Sequence, residues 1–78
     1  MDIKLKNVQP GMKQAVNNQG DVLATVNKLD GEIVIDHIKT NDDDDATIFP
    51  TDTNGKPLKT FTGALDYLTD WFAESYIY

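Results

Sequence analysis

The apolar residues of this chain change period once, at Phe61, and that change decides what class of fold it can adopt. Before Phe61 the runs are short and carry strand chemistry. DIKLKNV alternates Ile3 and Leu5 with lysines, and MKQAV is a weaker candidate. DVLATVNKL sets Val22, Ala24 and Val26 on one face, and EIVIDHIK turns Ile33 and Ile35 one way and Val34 and Ile38 the other. Such β-branched, period-two runs read as half-buried strands. ATIF and KPLKTF follow, with Pro50 and Pro57 pointing to edge positions, where a missing amide costs least. After Phe61, Ala64, Leu65, Leu68, Trp71, Phe72 and Tyr76 recur at three- and four-residue spacing. That spacing predicts an amphipathic helix of about four turns. Thr62 is its expected N-cap, with Asp66 near the positive end of the dipole.

Turn chemistry separates the runs. QPGM at 9–12 and NNQGD at 17–21 carry proline, glycine and asparagine where tight turns need them. LDGE at 29–32 puts Asp-Gly between two strand-like runs, the strongest short hairpin signal, and TNGK at 53–56 repeats it with Asn-Gly. The fold class that follows is α+β: an antiparallel meander of about four or five strands packed by one C-terminal helix, forming a single domain over residues 1–78. A small SH3-like barrel starting from IKLKNVQPGM is the competing architecture.

With 78 residues and no cysteine, the chain has neither disulfide staples nor a Cys/His set for a structural metal. A chain this size buries only about 60–65% of its unfolded surface, so packing, a partner or a second copy must supply stability. No segment resembles a signal peptide or is long enough to span a membrane, and a cytoplasmic location is expected.

Charge is distributed unevenly. Residues 1–39 hold five acids and five lysines, whereas residues 40–78 hold eight acids against Lys56 and Lys59, so the second half carries the whole net charge of −6. There is no arginine. A protein that binds nucleic acid directly presents clustered Lys and Arg to the phosphates. This chain presents the opposite field, which argues against direct contact with DNA, RNA or an anionic membrane and steers basic partners toward it.

Two acidic features concentrate that field. Asp66, Asp70 and Glu74 fall at i, i+4 and i+8 and form one row on the helix, with steps of about 6 Å. Like charges at this spacing weaken a helix by a few tenths of a kcal/mol per pair, and no Lys or Arg occurs from residue 60 to 78 to offset them. The row is either a solvated face or a ridge presented to a basic groove. The second feature is the run Asp42, Asp43, Asp44 and Asp45. It reads as a solvated loop that resists edge-to-edge association, or as a charged contact surface. As an EF-hand calcium loop it fails, because Thr47 stands where the sixth-position glycine is needed and Thr53 where the twelfth-position glutamate is needed, which leaves a weak cation site as its third reading.

All seven aromatic residues lie after residue 48. Trp71, Phe72 and Phe61 are expected to pack helix onto sheet. Tyr67 falls at the border between the apolar stripe and the acidic row, and Tyr76 and Tyr78 lie in the tail. Tyrosine beside carboxylate is a common composition for a binding hot spot. The candidate partner-binding set is therefore Asp42, Asp43, Asp44, Asp45, Asp66, Tyr67, Asp70, Glu74, Tyr76 and Tyr78. No catalytic constellation stands beside it. His37 is the only histidine and Ser75 the only serine, and there is no phosphate loop or metalloprotease motif. No enzyme activity and no cofactor are expected.

The Asp-Gly hairpin at 30–31, the run NDDDDAT and the acidic-aromatic helix ALDYLTDWFAESYIY together resemble the small phage-encoded inhibitors of bacterial defence, including anti-CRISPR proteins and other DNA mimics. The likeness is one of architecture and charge over about half the chain, and no residue role is carried over from it. What it implies is an inhibitor or decoy that occupies the basic nucleic-acid-binding surface of a partner protein, such as a CRISPR effector subunit. The alternative is a small phage or bacterial interaction or assembly module without mimicry, a homodimer joined through an edge strand or the helix.

Overall fold

Turns set the order of the strands. The computed structural model describes the backbone of residues 2–38 and 46–75, with side chains in the helix as far as Ala73. Its elements are β1 (Lys4–Gln9), β2 (Met12–Val16), β3 (Val22–Leu29), β4 (Glu32–Ile38), β5 (Ala46–Ile48) and α1 (Phe61–Ser75). The strands form one sheet in the order β1-β2-β3-β4-β5, each antiparallel to the next. β1 and β5 are its two edges, so the sheet is an open meander and not an SH3-like barrel.

The hairpin between β3 and β4 is the one the sequence announces. Asp30 at φ 52° and Gly31 at φ 80° are both left-handed, as a two-residue type I′ turn requires. The Asn-Gly at 54–55 works differently. Only Gly55 has positive φ there. Its N–H donates to the Asp52 carbonyl at 3.0 Å, and Asp52 Oδ1 accepts the N–H groups of Asn54 and Lys56 at 2.8 and 3.0 Å. The aspartate, not the Asn-Gly pair, organises this turn. Its arms meet in one bridge, Thr51 with Pro57, rather than in two paired strands. KPLKTF is thus not a strand, since Pro57 has no N–H to offer a ladder. Leu58 is nevertheless tied down: its N–H donates to the Pro50 carbonyl at 3.1 Å, and its own carbonyl accepts from Ile33 N–H at 2.8 Å.

Simple alternation fails at two places, both at irregularities of register. Between β2 and β3 the pairing runs Ala15 with Ala24 and then Val16 with Val22, leaving Leu23 as an extra residue. Val22 is 40% exposed, while Leu23 and Ala24 both join the core. The expected face of Val22, Ala24 and Val26 is therefore wrong at Val22. In β4 the register shifts between Ile35 and Ile38, and His37 takes φ 53°. This flips the parity of the strand after Ile35. Ile38 lands inside with Ile33 and Ile35 instead of opposite them beside Val34. A bulge of this kind inserts one residue and re-aims those that follow.

The helix covers the face so formed. Ala64, Leu68 and Phe72 are fully buried against Ala15, Ala24, Val26, Ile33, Ile35 and Ile38, and Leu58, Phe61, Tyr67 and Trp71 pack around them. Lys13 lies with Nζ 5.0 Å above the Phe61 ring and donates to Asn7 Oδ1 at 2.7 Å, closing the rim at the start of α1. The N-cap is Thr60, whose Oγ1 accepts the Gly63 N–H at 3.0 Å. Thr62, the expected cap, lies inside the first turn. That turn contains no acidic residue, so Asp66 stands one turn past the positive end of the dipole. Replacing Thr60 with Ala should lower stability by about 1 kcal/mol, read as a fall of about 4–8 °C in Tm for a domain of this size. Thr62→Ala should stay within about 0.5 kcal/mol of wild type. Equal losses at the two positions would show that the cap is misassigned.

Candidate functional site

The outward face of α1 is acidic because its inward face is spent on the core. Taking 100° per residue, Ala64, Leu68 and Phe72 point to the sheet, and Asp66 and Asp70 fall on the opposite side. Both aspartates are exposed, and the last turn carries no basic residue. Their carboxylates stand one turn apart with no cation in the helix to offset them, an arrangement that costs the helix a little stability.

Beside this row lies an aromatic pair. Tyr67 and Trp71, at i and i+4, have ring centroids 6.2 Å apart with planes inclined by 22°. Both are half-buried: one side packs on the core and the other meets solvent. Tyr67 and Asp70 are i, i+3 neighbours, so the stack directly flanks the second carboxylate. The position expected for Tyr67, at the border of stripe and row, is where it sits. Trp71 packs on the core as expected and also shares this border. Its Nε1 is shielded from solvent and has no hydrogen-bond acceptor among the described residues. The helical wheel places Trp71 40° from Tyr67, which was signal enough to group the two.

Of the other predicted contact residues, Asp42, Asp43, Asp44, Asp45, Tyr76, Tyr78 and the Glu74 side chain lie outside the described residues. Asp66, Tyr67 and Asp70 are brought together on one face. A further exposed aromatic is Phe49, at 73% exposure. It follows Ile48, which packs against the core, and alternation alone sends it to the other side.

Three of the remaining acids have structural work. Asp36 accepts from Asn27 Nδ2 at 2.7 Å and from Thr47 Oγ1 at 3.2 Å, so both its oxygens are engaged. Asp52 organises its turn, and Asp21 accepts from Asn17 Nδ2 at 3.3 Å. Among the described residues no three His, Cys, Asp or Glu side chains converge as a metal would require. The chain matches no protein-family model, no curated protein and no solved structure.

What this face can do chemically is bind: two exposed carboxylates attract cations, and the aromatic stack offers a flat apolar contact beside them. The indole N–H, without a partner among the described residues, makes a stability prediction. Trp71→Phe removes no hydrogen bond, and chemical denaturation should place it within about 1 kcal/mol of wild type. Trp71→Ala also removes packing and should cost about 2–3 kcal/mol. A large loss in the phenylalanine variant would mean that the indole nitrogen has a partner after all.

Proposed function

We propose that this chain is a binding protein, an inhibitor or decoy whose acidic helix face occupies a basic nucleic-acid-binding surface of a partner protein. A CRISPR effector subunit in the cytoplasm of a bacterial host cell is the type of target this reading has in view. The observation that carries it is the outward face of α1, where exposed Asp66 and Asp70 stand beside the Tyr67–Trp71 stack with no compensating cation in the helix. A nucleic-acid channel lined by Lys and Arg recognises regularly spaced negative charge and flat rings, and this face offers both. The run Asp42 to Asp45 adds charge to the same half of the sequence. Among the described residues no helix is long and apolar enough to cross a membrane.

A second reading, an interaction or assembly module without mimicry, is favoured by the apolar residues exposed away from the helix, Leu29 at 58% and Phe49 at 73%.

The two readings part on competition and on salt. A tagged wild-type chain is used to capture proteins from nuclease-treated host extract. Each captured basic protein is then tested for binding a labelled nucleic acid with and without the chain. The decoy reading expects displacement of nucleic acid and release of the partner as salt approaches half-molar, because charge-led contacts are screened. Asp70→Lys should weaken binding at least tenfold without lowering the melting temperature, since it relieves the like charges of the row. Binding and melting temperature falling together would make the row structural. Changing Asp42, Asp43, Asp44 and Asp45 together to Asn should leave folding intact and slow association at low salt. An unchanged on-rate would remove the aspartate run from the contact surface, and a partner that keeps its nucleic acid would overturn the decoy.

A further inference from the structure

Asn54 is the one asparagine of this chain that a glycine follows, and the fold leaves the pair in the open. Both residues are exposed, and a Cβ added at Gly55 would meet nothing within 4 Å. Among the described residues the Asn54 side-chain amide makes no hydrogen bond; only its backbone N–H does, to Asp52. The backbone nitrogen after an asparagine can reach the side-chain carbon Cγ and close a five-membered ring. Such an intramolecular attack has a high effective concentration. A Cβ on the following residue crowds the nitrogen and stiffens the backbone, and glycine does neither.

The other asparagines are held back. Asn7 precedes β-branched Val8, and its Oδ1 accepts from Lys13 Nζ at 2.7 Å. Asn17 Oδ1 accepts the N–H groups of Gln19 and Asp21 at 3.0 and 2.9 Å. Asn27 Nδ2 donates to Asp36 at 2.7 Å within the sheet. Asn18 and Asn41 precede Gln19 and Asp42, each with a Cβ in the way. Asp30-Gly31 shares the glycine, but a carboxylate is a poor electrophile, and its turn joins two paired strands. At Asn54 one restraint remains: the Gly55 N–H donates to the Asp52 carbonyl at 3.0 Å and must first let go. That turn is exposed and its arms meet only at Thr51 and Pro57, so its opening is local and costs far less than unfolding.

We propose that Asn54 is a self-modification site, at which the folded chain deamidates through a succinimide with water as the only co-reactant. The Gly55 nitrogen gives up its proton and bonds to Asn54 Cγ. The Cγ–Nδ2 bond breaks, and Nδ2 leaves with that proton as ammonia. Water then opens the ring. Attack at Cγ yields aspartate, and attack at the main-chain carbonyl carbon yields isoaspartate, whose backbone runs through the side-chain methylene. No electrons are exchanged with any other reagent. Either product replaces a neutral amide by a carboxylate and takes the formal net charge from −6 to −7. Isoaspartate also lengthens the backbone by one atom between positions 54 and 55. The bonds that span this link are Lys56 N–H to Asp52 Oδ1, Gly55 N–H to the Asp52 carbonyl, and Asp52 N–H to the Lys56 carbonyl at 2.8 Å. The turn they close seats Leu58, which is bonded to Pro50 and Ile33 and packs on the core. The modification thus unfastens the segment that leads into α1. It is independent of the helix-face reading.

The test is to incubate the folded chain at neutral and at mildly alkaline pH and to follow each asparagine by peptide mass mapping. A parallel sample in denaturant gives the rate without the turn, and an isoaspartyl methyltransferase labels the isoaspartate fraction. Position 54 should convert before any other asparagine, more slowly than in denaturant and faster at the higher pH, because the attacking nitrogen must lose its proton. Asn54→Gln, whose longer side chain cannot close the same ring, should keep its circular dichroism spectrum and show no conversion at that position. The isoaspartate fraction should melt at a lower temperature than fresh protein. A folded chain that keeps Asn54 intact while the denatured sample converts would overturn the proposal, since the turn would then protect the site. Earlier conversion at another asparagine would overturn it too. An isoaspartate fraction that melts with fresh protein would overturn the link to Leu58.

Discussion

One helix has to shield the inner face of five strands, and most of what is distinctive here follows from how it does so. The stripe Ala64, Leu68 and Phe72 is narrow, so the sheet must gather its own apolar residues beneath it. The two bulges achieve that. Without the parity change at His37, Ile38 would face the open side beside Val34, and β4 would give the core two isoleucines instead of three. Burying an isoleucine side chain contributes about 1.5–3 kcal/mol. His37 is held in a left-handed conformation that costs a non-glycine residue about 1–2 kcal/mol. The gain at Ile38 is therefore of the same order as the strain at His37 and offsets it. Leu23 and Ala24 repeat the device in β3, where one extra residue places two neighbours inside.

This economy explains both the legible and the illegible parts of the sequence. Strand and helix periods are properties of runs, and they predict four or five strands and one helix, with KPLKTF the strand-like run that does not become one; the Asp-Gly turn follows from its own chemistry. A bulge is a property of one residue in a run, set by the partner strand, and nothing within EIVIDHIK marks where the parity will change. Val22 and Ile38 were misplaced for that reason. The cap was missed by two residues because Thr60 and Thr62 are chemically alike, and only the helix start at Phe61 chooses between them. At Asn54-Gly55 a strong dipeptide signal lost to Asp52, whose carboxylate organises the loop from outside the dipeptide. On the helix, wheel geometry placed Asp66, Asp70 and Tyr67 correctly, because a packed amphipathic helix has little freedom in which face it turns to the sheet. A stripe does not show which of its border residues stack sideways, so the spacing predicts Trp71 as packing but not its stack on Tyr67.

The inward demand also fixes where charge can go. With Ala64, Leu68 and Phe72 committed to the core, a carboxylate on α1 is tolerable only on the outer side, and Asp66 and Asp70 both stand there. Nothing in the packing requires those positions to be acidic rather than alternating in sign, and the helix would be slightly more stable if they alternated. The acidic row is therefore not explained by folding. The Tyr67–Trp71 stack next to it gives the same face a rigid contact element with few side-chain torsions to freeze on binding.

How strongly such a face can bind depends on both of its elements. A lone acidic helix gains most of its attraction from charge, and at physiological salt that attraction is screened beyond about 8 Å. The Tyr67–Trp71 stack supplies what charge does not: apolar contact that salt leaves largely unaffected, held beside Asp70 because both rings pack on the core. In a complex the carboxylates would govern encounter and the rings residence, and one inward stripe positions both.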